Sequence, residues 1–124
     1  MANMKNQSLV RRFFHAANGI RWATRVEASF RTQLLVVAAT AVVLALLRPP
    51  LLWIALCILS AGMVLALELV NTALEHLADG LHPEQHPAIQ VAKDCAAGAV
   101  LLASIAALLV GVMTVAVARR WLPL

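Results

Sequence analysis

Leu67-Glu68-Leu69-Val70-Asn71-Thr72-Ala73-Leu74-Glu75-His76-Leu77-Ala78-Asp79 begins where a long apolar run, from Leu51, comes to its end. Nothing in it breaks a helix. At about 100° per residue, Glu68, Asn71, Glu75 and Asp79 fall at about 0°, −60°, −20° and +20°. They form one acidic stripe about 16 Å long at a rise of roughly 1.5 Å per residue. A carboxylate at the edge of a hydrocarbon span is costly to place there, so it marks a functional site by default.

Composition agrees with a membrane setting. The 124 residues are 62% hydrophobic and only 13% charged, with mean hydropathy +0.84. Soluble domains carry about 25% charged residues. The expectation is a single all-α integral membrane domain over residues 1–124, and an oligomer, because lipid cannot cover a polar stripe. The net charge of +4 and pI near 10.1 come from bases beside membrane spans. They point to anionic lipid or nucleotide phosphate, and no nucleic acid is expected as a partner. Cys57 and Cys95 lie in apolar runs and read as packing residues.

Residues 1–8 are polar and are expected to fray. No signal peptide is expected, since residues 1–12 are polar and basic with no apolar core behind them. Val10, Phe13, Phe14, Ala17 and Ile20 then recur at helical spacing. Arg11, Arg12, His15 and Arg25 lie mostly off that face. The pattern predicts a basic amphipathic surface helix over about 9–26, with a turn or kink at Asn18-Gly19. Glu27 has arginines on both sides, so a surface ion pair and a functional carboxylate are equally open there.

Three spans follow, over about 30–47, 51–78 and 93–118. Arg48-Pro49-Pro50 ends the first. Trp53 suits an interface near the start of the second. Gly80 is the expected C-cap of that helix. His82 and His86 sit in a proline-interrupted loop, a poor zinc site. Ala96, Ala97, Gly98 and Ala99 open the third span with small residues that favour close helix approach. Arg119, Arg120 and Trp121 end it at an interface. Lys5, Arg11, Arg12, Arg21, Arg25, Arg31 and Lys93 fall on one side of this topology, and Arg48, Arg119 and Arg120 on the other. That bias places the N-terminus in the cytoplasm. All six acids, Glu27, Glu68, Glu75, Asp79, Glu84 and Asp94, then lie at or near the cytoplasmic leaflet.

Carboxylates with Asn71, Lys93 and arginines, facing the cytoplasm, suit Mg²⁺ and nucleotide phosphates. Burial makes a carboxylate a better proton acceptor, and a lipid hydroxyl is the acid it would meet at the boundary. Glu68 lies deepest and suits that task. Glu75 lies two turns nearer water. The chemistry suggested is phosphoryl transfer from a water-soluble donor to a lipid alcohol. The chain has neither a G-x-x-x-x-G-K-[ST] loop nor a kinase catalytic loop.

Glu68-Leu-Val-Asn71-Thr72-Ala-Leu-Glu75, Asp79 and Ala92-Lys93-Asp94 resemble the prokaryotic diacylglycerol kinase family over nearly the whole chain. Glu27-Ala-Ser-Phe-Arg31 is similar to that family's E-A-x-F-R. The resemblance implies an ATP-dependent lipid kinase of the bacterial inner membrane, with its active site cytoplasmic. It implies a homotrimeric helical bundle of three-span subunits, each with an N-terminal surface helix, and active sites shared between neighbours. Glu68 would be the catalytic base. Glu27 and Glu75 would hold Mg²⁺ on ATP. Glu27, Asn71, Glu75, Asp79, Glu84, His86, Lys93 and Asp94 would surround the nucleotide. Glu68, Ser29, Phe30 and Arg31 would meet the lipid.

Two substrate branches are mixed in the chain. Glu27 to Arg31 looks like the Gram-negative diacylglycerol kinases. Phe14-His15-Ala16-Ala17-Asn18-Gly19-Ile20, His86-Pro87 and Ala92 to Ala99 look like the Gram-positive undecaprenol kinases. Diacylglycerol, giving phosphatidic acid, is the expected acceptor, with undecaprenol the alternative. A small proton-coupled multidrug exporter would want its carboxylate near the midplane and four spans. A non-enzymatic accessory subunit, its carboxylates paired only with arginines, is the remaining alternative.

Overall fold

In the computed structural model, residues 8–120 are described, and they form four helices: α1 (Leu9–Val26), α2 (Ala28–Leu47), α3 (Leu51–Leu81) and α4 (Pro87–Ala118). The protein is all-helical, with three helices long and apolar enough to cross a membrane after one N-terminal helix. Lys5, Trp121 and the polar stretch over 1–7 lie outside the described residues.

α1 starts at Ser8, whose hydroxyl accepts a hydrogen bond from the Arg11 backbone N–H at 3.3 Å. It runs unbroken through Asn18-Gly19, so the expected kink is not made. Ala23 is the buried residue of this helix, while Phe13 and Phe14 remain exposed. A single extended residue, Glu27 (φ −95°, ψ 112°), closes α1 and opens α2. Within α2 the threonines bond back to their own helix, Thr32 to the Ala28 carbonyl at 3.0 Å and Thr40 to Val36 at 2.8 Å. That satisfies their hydroxyls without a partner helix. Arg48 takes a left-handed conformation (φ 50°) and Pro49-Pro50 turns the chain into α3.

α3 has 31 residues, a length of about 46 Å against roughly 30 Å of hydrocarbon. The remaining ~16 Å is the acidic stripe and its final turn. Gly80 stays inside the helix, and His82 is the C-cap. α4 begins at Pro87, earlier than the apolar run, because His86 caps it: its Nδ1 accepts the Ala88 N–H at 3.1 Å. Proline at the first helical position loses no bond. One continuous helix therefore carries both Lys93-Asp94 and the apolar run.

α4 is the chief partner of α3; α2 packs on α3 as well, and α1 touches α2 and α3. The buried residues of α3 are Trp53, Cys57, Val64, Glu68 and Thr72. They fall within about 60° either side of Glu68 on the helix wheel. The acidic stripe is thus the direct continuation of the packed face of α3. Trp53 turns into this core, 9% exposed, and does not stand out as an interfacial aromatic. Both cysteines are free thiols: Cys57 is buried and meets Thr114, Sγ to Oγ1 at 3.3 Å, and Cys95 is exposed. Within this chain Cys57 is the one that packs in the core. A side chain added at Gly98 would meet nothing within 4 Å. At Gly98, therefore, no neighbouring helix approaches closely within one chain.

Candidate active site

The site lies at the end of the bundle where α1, the start of α2, the end of α3 and the start of α4 come together. Along α3, the side facing α1 carries Leu69, Thr72, Ala73 and His76. The side facing α4 carries Leu74, Leu77, Ala78 and Leu81. The two sides stand at about +90° and about −130° from Glu68. The stripe faces the gap between them.

Glu68 is 5% exposed. The Ser29 hydroxyl donates to its Oε1 at 2.5 Å, across 39 positions of sequence. Ser29 is the second residue of α2. The carboxylate therefore lies beside a helix N-terminus, whose unpaired N–H groups and dipole favour negative charge. Phe30 is 2% exposed. Its side chain fixes the first turn of α2, and Ser29 with it. Arg31 reaches back to α1, its Nη1 donating to the carbonyls of Arg25 at 2.7 Å and Thr24 at 3.4 Å. A cation on the last carbonyls of a helix is favourable there.

Glu27 does not pair with the flanking arginines. Its Oε1 lies 3.2 Å from Nε2 of His76 on α3. The His76 ring stands edge-on to Trp22 of α1, centroids 4.7 Å apart and planes at 76°. An open, largely apolar cleft of about 680 Å³ separates α1 from α3, walled by Ile20, Trp22, Leu69, Thr72, Ala73 and His76.

Nearer the loop, Lys93 of α4 donates to Asp79 of α3 at 2.6 Å. Gln90 donates to Asp94 at 2.9 Å within α4. His82 Nδ1 lies 2.9 Å from the Glu84 carbonyl, and the His82 and His86 rings meet edge-on at 5.6 Å. Glu84 and His86 are thereby fixed on an exposed, internally bonded loop. Glu75 makes no hydrogen bond or ion pair among the described residues. Oδ1 of Asn71 is buried without a partner, an expense that a native structure rarely carries without a ligand or a second chain to meet it.

The structure therefore joins Ser29 to Glu68, Glu27 to α3, and Asp79 to Lys93. Within this chain Phe30 is buried, Arg31 bonds to carbonyls of α1, and Glu84 and His86 lie at the loop between α3 and α4. Two residues of the site were not singled out from sequence, His76 and Trp22. His76 stands inside the stretch Leu67–Asp79 but about 80° off Glu68, and only the course of α1 shows what it meets.

These features define an α-helical, multi-pass membrane protein whose buried carboxylate sits at the end of a packed span, with further carboxylates lined up outward from it. Residues 14–115 match the prokaryotic diacylglycerol kinase family, and the chain belongs to that family. A diacylglycerol kinase of Synechocystis sp. is 39% identical over 100 residues, covering 80% of this chain and 57% of that protein. An undecaprenol kinase of Bacillus subtilis is 33% identical over 102 residues, covering 82% of each chain. A diacylglycerol kinase of Helicobacter pylori is 33% identical over 96 residues, covering 76% of this chain and 73% of that protein. The chain thus spans little more than half the length of the Synechocystis relative.

Proposed function

We propose that the protein transfers the γ-phosphate of Mg-ATP to the hydroxyl of a membrane lipid alcohol, 1,2-diacylglycerol giving phosphatidic acid. The observation that carries this reading is Glu68: buried, on the packed face of α3 where the span ends, and oriented by Ser29. A base at that depth meets a lipid hydroxyl, and the residues outward from it meet a water-soluble donor.

Glu68 takes the proton of the hydroxyl as its oxygen attacks the γ-phosphorus, and the bond to the bridging oxygen of ADP breaks. Ser29 holds Oε1, so the other oxygen of Glu68 is the one that serves as base. Lys93, Asn71, Asp79 and Asp94 border the phosphates, with Lys93 supplying positive charge. Lys93 is held by Asp79 and must share or exchange that bond when a nucleotide arrives.

The donor set suits magnesium. Glu27 and Glu75 are hard oxygen donors, and the unpartnered Asn71 Oδ1 is a third oxygen in the same region. Mg²⁺ takes one or two carboxylates and completes its shell with phosphate oxygens and water. No group of three or more His, Cys, Asp or Glu able to hold a metal forms among the described residues, so a nucleotide would bring most of the ligands. When bound, the ion would neutralise charge on the phosphates.

The chain is proposed to sit in the bacterial inner membrane with its N-terminus and active site cytoplasmic, and to act as a homotrimer with sites shared between subunits. The apolar side chains left exposed along α2 and α4, among them Leu35, Leu46, Leu101 and Leu108, are what a neighbouring subunit would cover. The Bacillus relative, aligned over 82% of both chains, supports undecaprenol as the second acceptor. Purified protein in mixed micelles, given labelled ATP and each alcohol separately, distinguishes the two. Phosphatidic acid formed at the higher kcat/KM supports diacylglycerol. Undecaprenyl phosphate at the higher value assigns the second reading, and the absence of both products refutes the kinase.

A further inference from the structure

Glu27 occupies an unusual place. It is the single residue between two helices, C-cap of α1 and N-cap of α2, and its side chain makes no capping bond to α2. Nothing local fixes where its carboxylate points. Arg31, four residues on, is committed to the carbonyls of α1. The only partner of the Glu27 carboxylate among the described residues is His76, through Oε1. The second oxygen is left without one.

His76 is itself held from a different direction. Its ring stands edge-on to Trp22 at 4.7 Å, a geometry that aromatic pairs favour. Trp22 on α1, Glu27 at the junction and His76 on α3 close a triangle across three elements. His76 also directly follows Glu75, the other carboxylate assigned to the metal. Through it, Glu27 is tied to the turn of α3 that carries Glu75.

We propose that His76 is a positioning residue: by donating from Nε2 to Oε1 of Glu27, it aims the free oxygen of that carboxylate at the divalent cation shared with Glu75. The inference rests on Glu27 being a metal ligand, as proposed above. An ionised carboxylate only accepts hydrogen bonds, so the nitrogen facing Glu27 carries the proton. Fixing one oxygen leaves the other for the metal in a set direction. An outer partner of this kind orients a ligand that it does not replace, and losing it weakens metal binding. Trp22 contributes by fixing the ring plane. A mere interhelical ion pair would have no such consequence, because His76 is half exposed, with 52% of its side chain accessible, and such pairs add little stability.

The test uses full-length protein in detergent micelles and its His76→Ala and His76→Gln variants. Mn²⁺ binding is measured by electron paramagnetic resonance with a non-hydrolysable ATP analogue, and turnover is measured against Mg²⁺ concentration. His76→Ala should weaken Mn²⁺ binding and raise the Mg²⁺ requirement about tenfold, a larger change than in kcat at saturating metal. His76→Gln, which offers an N–H donor in nearly the same place, should recover most of the loss. Metal binding by His76→Ala equal to wild type overturns the proposal, as does a His76→Gln variant as weak as alanine. Wild-type protein that binds no Mn²⁺-nucleotide would instead refute the metal reading of Glu27 and Glu75, and this inference with it.

Discussion

Replacing Ser29 with alanine removes the one hydrogen bond that the described residues give to Glu68. The bond is short, 2.5 Å, within the range of charge-assisted O–H···O⁻ contacts. Glu68 is 5% exposed, so water cannot readily replace the donor. Hydrogen bonds to charged groups contribute about 1.5–3 kcal/mol. If that orientation is needed when the lipid hydroxyl loses its proton, kcat should fall roughly 10- to 100-fold at 1.36 kcal/mol per decade. Apparent affinity for Mg-ATP should change little, because the one side-chain partner of Ser29 among the described residues is Glu68 and not an ATP-side residue. Ser29→Thr keeps the hydroxyl, and position 29 is exposed enough to take a methyl, so it should retain most of the activity. The assay is transfer of labelled phosphate in mixed micelles at saturating ATP, with thermal unfolding of each variant as the control. A Ser29→Ala enzyme within twofold of wild type would refute the role given to this contact.

Other expectations follow from the same geometry. Glu75→Gln should raise the Mg²⁺ concentration needed for half-maximal turnover by an order of magnitude or more, seen in a metal titration at fixed ATP; an unchanged requirement removes Glu75 from the metal site. Phe30→Ala should cost about 3–5 kcal/mol of stability as a buried aromatic lost from the core, read as a lower unfolding midpoint in detergent, with Phe30→Leu losing less. Asp79 and Lys93 form an ion pair whose carboxylate is 63% exposed, so a double-mutant cycle on stability should return a coupling of no more than about 1 kcal/mol. A cysteine placed at the exposed loop residue Gln85, with Cys57 and Cys95 replaced by alanine, should react with a membrane-impermeant maleimide in inverted vesicles and not in intact spheroplasts.

The helices were legible from hydropathy and helical phase, because long apolar runs have few alternatives in a membrane. Arg48-Pro49-Pro50 ended α2 as expected, since proline removes the bond that would continue it. Glycine was a poorer guide. Asn18-Gly19 and Gly80 both stay helical, because glycine permits a turn without requiring one. The acidic stripe was visible as periodicity, and it proved to continue the buried face of α3. The Ser29–Glu68 bond joins residues 39 apart, and the family motif pointed to both without saying that they touch. His76 was hidden for a different reason. Its contact with Glu27 depends on the one-residue break between α1 and α2, and no pattern along a single helix reports where that break aims a side chain. Phe30 sat in the motif stretch and is buried, which residue type alone did not tell.

The central claim is that Glu68 is a base and not a ligand of the nucleotide. Glu68→Gln keeps the size of the side chain and removes its basicity. The measurement is turnover and Mg-ATP-analogue binding on the same purified variant. The account predicts a fall in kcat of about 10²- to 10⁴-fold with nucleotide affinity within about threefold of wild type. Turnover retained within tenfold, or activity and nucleotide binding lost together in a folded protein, would contradict it.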